Sequence, residues 1–199
     1  MAITLHTLRA PTLSGDEIAE VLQAQAGFTV STDIKPVLAT YGCGPCVALG
    51  GYDPTNQIAF LIHFSNAREI IASSGLILLN IRKLAKEPIV RPIQLHLRGG
   101  IKEGSEDIIK AIKTWMRQTC FPMEIISEDI LHGESCLESK SLLIDSRNGA
   151  VSEYDPMTNP KSRDPELYDV MAAKMSAFEP KITVVYAPKT PPLDLASLL

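Results

Sequence analysis

Apolar and polar positions along this chain follow two periods, and the places where the period changes mark its elements. Ile58-Ala59-Phe60-Leu61-Ile62-His63-Phe64 is apolar at nearly every position and predicts a buried strand. Ile93-Gln94-Leu95-His96-Leu97-Arg98 alternates and predicts a strand ended by Gly99-Gly100. From about Ala67 to Lys86 the period becomes helical, with Leu76, Leu79, Ile81 and Leu84 as the apolar positions and Pro88 as the stop. Ser105 caps a second helix, in which Ile108, Ile109, Ile112, Trp115 and Met116 recur at helical spacing. Val37–Thr40, Val47–Leu49, Met123–Ser127, Leu142–Asp145 and Ile182–Tyr186 read as further strands.

Turn chemistry joins these elements. In Tyr52-Asp53-Pro54-Thr55-Asn56, Pro54 presets φ, while Asp53 and Asn56 can bond local backbone. That turn makes Ile58–Phe64 the hairpin partner of the strand beginning at Val47. Asn148-Gly149 is a second hairpin signal. Ser14-Gly15-Asp16-Glu17 followed by Ile18, Val21 and Leu22 predicts a short capped helix ended by Gly27. Asp164-Pro165 opens a last helix to about Phe178, and Pro188 and Pro191-Pro192 lead into a tail. The mixture predicts an α+β fold, a β-sandwich-like core of mixed and antiparallel strands flanked by helices. The 199 residues fit a single domain, with a core over 27–151 and terminal additions, 1–26 and 152–199, packed on it.

Composition narrows the function less than the fold. Hydrophobic residues make up 45% and charged residues 21%, which excludes wholesale disorder. A net charge of −4 without a basic cluster argues against nucleic acid or an anionic membrane as the main partner. The longest apolar stretch, from Gly75 toward Ile81, is broken by Asn80 and Arg82 and is too short to span a bilayer. The first residues show no basic, then apolar, secretory pattern, and four cysteines are too few for a disulfide scaffold. The expected setting is the cytoplasm, with export by a dedicated machine as the other option.

The chemistry-bearing segment is Thr40-Tyr41-Gly42-Cys43-Gly44-Pro45-Cys46, with His63 seventeen residues beyond Cys46. Cys43-Gly44-Pro45-Cys46 spells a disulfide-exchange motif, which needs a helix N-terminus to stabilise its thiolate. The two glycines and the proline that follow Cys46 offer a strand and a turn instead. A zinc site from Cys43, Cys46, His63 and His132 lacks a second closely spaced ligand pair, and Cys120 and Cys136 read as ordinary partly buried thiols. Bland readings stand beside the sharp one: a core histidine at His63, a strand-end threonine at Thr40, a tight turn at Gly42 and Gly44.

The joint spacing resembles the chemoreceptor glutamine deamidase (CheD) family. The likeness rests on Thr-x-Gly-x-Gly-x-Cys at Thr40 to Cys46, Tyr52-Asp53-Pro54 and His63. It continues through Gly99-Gly100, the helix from Ser105, Glu128-Asp129 and Asp145…Asn148-Gly149, about three fifths of the chain. By that resemblance Cys46 is the nucleophile, His63 its partner and Thr40 the residue orienting the imidazole. Cytotoxic necrotizing factor-like toxins share the same core. The chain departs from the family at Pro45, where serine is usual, and after His63, where a leucine-proline pair is missing.

The residue types suit the chemistry. A carboxamide is a poor electrophile, so a thiolate made by a nearby base is required. An imidazole can take the Cys46 proton and return one to departing ammonia. Gly42 and Gly44 would let backbone N–H groups face the oxyanion, while Pro45 removes one. Gly99 and Gly100 read as a close backbone approach beside the site. The expected substrate is a protein bearing a reactive glutamine, and the terminal additions could bring a regulatory protein partner. No cofactor or metal is required. Cys43 could form a reversible disulfide with Cys46. A catalytically silent binding or scaffold protein is the reading from another class.

Overall fold

The computed structural model describes residues 15–132, 139–158 and 181–188, an α+β arrangement of two mixed sheets and two helices. The strands are β1 (Ile18–Glu20), β2 (Gln25–Val30), β3 (Val37–Cys43), β4 (Val47–Asp53) and β5 (Ile58–Phe64), followed by helix α1 (Ala67–Leu84). Then come β6 (Ile93–Gly99), α2 (Glu106–Gln118), β7 (Met123–Ile130), β8 (Lys140–Asp145), β9 (Val151–Ser152) and β10 (Thr183–Tyr186). One sheet has the order β1-β3-β8-β9 and the other β10-β2-β5-β4-β6-β7.

The two faces of β5 explain the layering. Phe60, Ile62 and Phe64 join the cluster that packs under α1 and α2 with Ile70, Ile77, Ile112 and Trp115. Ala59 and Leu61 point the other way and meet Leu38, Leu142 and Ile144 of the four-stranded sheet. A strand buried on both faces must be apolar throughout, which is why this run lacks alternation. The layers are therefore helices, six-stranded sheet, four-stranded sheet.

Tyr52–Asn56 forms the expected turn: Asp53 accepts from Thr55 N at 2.8 Å and from Asn56 Nδ2 at 2.6 Å. Asn56 Oδ1 also accepts from Lys86 N and Glu87 N, pinning the β4–β5 hairpin to the end of α1. β6, α2 and β7 form a parallel crossover unit, the only connection type that returns a strand in the same direction. The Asn148-Gly149 turn closes β8 onto β9, with Gly149 N donating to Asp145 O at 2.8 Å.

Three expectations are corrected. The helix expected after Ser14 does not form over residues 15–22: a single 3-10 turn at Gly15–Glu17 leads into β1, which pairs in parallel with β3. Pairing with a sheet edge outweighs a local cap signal that has little helix to follow it. Gly27 accordingly lies inside β2, where a Cβ would stand 2.8 Å from Val21 Cγ2 and 3.0 Å from Leu38 Cδ2. In α1 the buried face is Ile70, Ser73, Ile77 and Ile81, whereas Leu79 is exposed and Leu76 half-buried. Cys120 is exposed, not partly buried. The helix expected at Asp164–Phe178, the tail beyond Pro188 and Cys136 lie outside the described residues.

β1 and β10 bring parts of the terminal additions onto the sheets. Tyr154 donates its phenol to Glu20, joining the two additions to each other, and Tyr186 donates to Asp33 at 2.7 Å, tying the C-terminal addition to the core. Among the described residues, no helix is long and apolar enough to cross a membrane.

Candidate active site

Thr40 and His63 meet between the sheets because strand parity sends them there. Thr40 is two residues past Leu38 on β3, and His63 is two past Leu61 on β5, so both share the inter-sheet face. Thr40 Oγ1 and His63 Nδ1 lie 2.8 Å apart, joining residues 23 apart in sequence and in different sheets. Both side chains are buried, and burial alone pushes the His63 imidazole down to about 4, so the ring is neutral at pH 7.

Cys43 reaches this pair through a bulge. The pairing runs Thr40↔Leu142 and then Cys43↔Lys140, three residues on β3 against two on β8. The extra residue reverses the alternation. Gly42, at φ +73°, supplies the left-handed backbone at that point. Cys43 consequently turns inward, with no exposure, and its Sγ lies 3.8 Å from His63 Nδ1 and 3.7 Å from Nε2. Near-equal distances to two ring nitrogens whose N–H directions diverge put the sulfur off the line of either, a weak contact. Burial, reinforced by the neighbouring Cys46, drives the Cys43 thiol far up, outweighing the Thr40 hydroxyl and the Ala48 amide that favour the thiolate.

Cys46 ends the turn, one residue before β4. Ala48 stands opposite His63 in the β4–β5 ladder, which places Cys46 a short diagonal from the imidazole. No hydrogen bond joins Cys46 to His63 among the described residues; the sulfur within hydrogen-bonding reach of the ring is that of Cys43. Burial pushes the Cys46 thiol up to about 12, and the carboxylate of Glu69 adds to the effect. The chain after Cys46 is strand β4, so no helix N-terminus lowers either thiol, as a disulfide-exchange site requires. Cys43 and Cys46 are both free thiols.

Sequence reasoning passed over Glu69. Asn66 caps α1 by accepting from Glu69 N at 3.1 Å, and the Glu69 carboxylate reaches back to Ser65 N at 2.7 Å and to Asn66 Nδ2 at 3.1 Å. The signal was readable as an N-cap residue followed three positions later by glutamate. It places a buried charge beside the candidate nucleophile.

The turn itself is clamped from behind. Gly100 N donates to Gly44 O at 2.8 Å and to Cys46 O at 2.9 Å. Ser105 stands at the start of α2, but its hydroxyl does not cap the helix: it donates to Pro45 O at 2.8 Å and accepts from Ile101 N at 3.0 Å. Gly99 has φ +93°, and a Cβ there would lie 2.6 Å from Cys43 Cβ, Cys43 O and Cys46 O. The glycine pair is thus a close backbone approach. Gly44 N is spent on Gly42 O at 3.0 Å and Pro45 has no N–H, so neither faces an oxyanion. Because a trans peptide points its C=O and N–H oppositely, the Pro45 O–Ser105 bond directs the Cys46 amide away from α2.

On the far side of Gly99-Gly100, Leu131 N and His132 N donate to their carbonyls, and His132 pairs with Asp129. No group of three or more metal-ligating side chains comes together among the described residues.

No family model and no curated protein matches the chain. Among solved structures, a hypothetical protein YfiH of Bacillus licheniformis aligns at 17% identity with a TM-score of 0.31. The alignment covers 49% of this chain and 35% of that one, so this chain spans about a third of that protein's length. At that score the likeness assigns neither fold nor function.

Proposed function

We propose that the chain is a cysteine-dependent amide hydrolase of CheD-like type, deamidating a protein glutamine through Cys46. The observation that carries the reading is the buried Thr40–His63 bond, which fixes an imidazole beside the Cys43 thiol and a ladder diagonal from Cys46. With Nδ1–H donating to Thr40 Oγ1, the His63 Nε2 lone pair is left to accept a proton.

Both thiol and imidazole are neutral at rest, so the proton moves during attack, not before it. Cys46 Sγ adds to the amide carbon as its proton passes to Nε2, and the Cys46 N–H is the amide best directed toward the oxyanion. The imidazolium then protonates the departing nitrogen, releasing ammonia and leaving a thioester. Water, deprotonated by His63, cleaves the thioester to glutamate and restores the thiol. This cycle requires Cys46 Sγ to move onto Nε2 when substrate binds, displacing Cys43 from the ring. A chemoreceptor substrate and a host protein targeted by an exported enzyme are the two versions of this reading.

A second reading is favoured by the thiols being held protonated: a silent binding fold that keeps the Thr40–His63 pair for stability. The test is deamidation of glutaminyl peptides, read by mass spectrometry and ammonia release, in wild type, Cys46→Ser, Cys43→Ser and His63→Ala. Turnover lost in Cys46→Ser and His63→Ala but kept in Cys43→Ser supports the proposal. Turnover that needs Cys43 and not Cys46 moves the nucleophile, and none in any form supports the silent fold. Insulin reduction by the wild type would instead revive thiol–disulfide exchange.

A further inference from the structure

We infer that the outward face of α1 docks a helix of another protein, one apolar along its middle with carboxylates near both ends. Opposite its buried face, α1 exposes Arg68, Ile71, Ala72, Gly75, Leu79 and Arg82, a single line at helical spacing. Ile71 is 74% exposed and Leu79 50% exposed, where a helix lying on a sheet ordinarily presents polar residues.

Gly75 sits at the centre of that line. Glycine in mid-helix weakens the helix relative to alanine, and a Cβ here would meet nothing within 4 Å. No contact within the described chain therefore calls for a glycine. A missing side chain between Ile71 and Leu79 leaves a saddle in which a second helix can approach closely.

Charge selects the occupant. Arg68 and Arg82 are each seven residues from Gly75, about 21 Å apart along the axis. A second copy packed antiparallel across Gly75 sets Arg68 against Arg82, and a parallel copy sets each arginine against itself. The one carboxylate on α1, Glu69, is buried and bonded to Ser65 and Asn66, so it cannot neutralise either arrangement. The face thus disfavours its own copy and matches a helix with acids fourteen positions apart. Membrane-surface helices use bulky aromatic and leucine side chains on the apolar face, whereas alanine and glycine occupy half of this one.

The test uses two fluorescein-labelled synthetic helical peptides with the same Leu/Ala stripe, one with Glu and one with Lys at two positions fourteen apart. Anisotropy titration of the full chain in low salt is expected to show the Glu peptide bound about tenfold more tightly than the Lys peptide. Arg68→Glu/Arg82→Glu is expected to invert that preference. Gly75→Leu, at a site with open space, is expected to keep the circular dichroism of the wild type and lose at least about tenfold in affinity. Equal binding of both peptides, or none, overturns the inference. So does a concentration-dependent dimer in sedimentation that Ile71→Glu dissolves, which assigns the face to a second copy. Binding to phosphatidylserine vesicles without peptide binding assigns it to lipid and overturns it equally. Protection of an Ile71→Cys thiol from alkylation in the free chain shows a face already covered within the chain, with the same consequence. None of these readouts depends on turnover at Cys46.

Discussion

Replacing Thr40 by valine exchanges a hydroxyl for a methyl of the same shape, so it removes one hydrogen bond and leaves no cavity. The bond is 2.8 Å long, and its partners are 0% and 3% exposed, so no water replaces the lost hydroxyl. A buried polar group left without its partner costs about 1–3 kcal/mol. Thr40→Val is therefore expected to lose about 2 kcal/mol of stability. With a urea m-value of about 2–3 kcal/mol/M the unfolding midpoint falls by roughly 0.5–1 M. The assay is urea unfolding at pH 7.5, where His63 is neutral folded and nearly so unfolded. The sharper measurement is a double-mutant cycle with His63→Leu, which removes the orphaned nitrogen. In the double variant most of the Thr40→Val cost disappears, giving a coupling of about 1–2 kcal/mol. A loss below about 0.5 kcal/mol together with strict additivity would refute the claim that Thr40 orients the imidazole.

Gly99→Ala forces a Cβ into backbone oxygens 2.6 Å away at a positive φ, and is expected to cost about 3 kcal/mol. A wild-type Tm by calorimetry would show that the turn can yield. His63 titrates near 6.5 unfolded and about 4 folded, so its contribution is full above pH 6.5 and is lost as the pH falls toward 4. The loss is on the order of 3 kcal/mol, and urea curves at a series of pH values should show it in wild type and not in His63→Leu; parallel losses in the two would place the acid sensitivity elsewhere. Glu69→Gln removes the negative charge facing Cys46 and is expected to lower that thiol from about 12. Peptide-resolved iodoacetamide rates from pH 8 to 11, with exposed Cys120 as internal standard, check it, and an unchanged profile removes Glu69 from the site.

Much of the fold was legible because local signals and tertiary demands agree. The apolar run at Ile58–Phe64, the Asp53–Asn56 turn and the Ile108–Trp115 stripe each state one structure in one way. Residues 15–22 read wrongly because three residues of edge strand carry no periodicity, and only pairing with β3 decides them. Ser105 read as a cap, yet its hydroxyl is claimed by Pro45 O, a partner sixty positions away. At the site, Thr40 and His63 were found by spacing and do meet. Which thiol faces the ring was not, because strict alternation sends Cys43 outward. The signal was Gly42, whose positive φ marks the bulge that reverses the count.

That reversal has a consequence for how such a site changes over generations. Parity along a strand is an all-or-none quantity, and no substitution alters it. A deletion of one residue between Thr40 and Cys43 removes the bulge but leaves the cysteine opposite Lys140, two positions from Thr40, with its sulfur still on the inter-sheet face. One further residue inserted there in regular pairing would instead turn that sulfur to the outer face. After such an insertion the imidazole would stand without the Cys43 thiol over it. The thiol environment of His63 therefore tolerates the loss of one codon in this turn and is sensitive to the gain of one, a difference that comparisons of residue identity alone would score only as a gap.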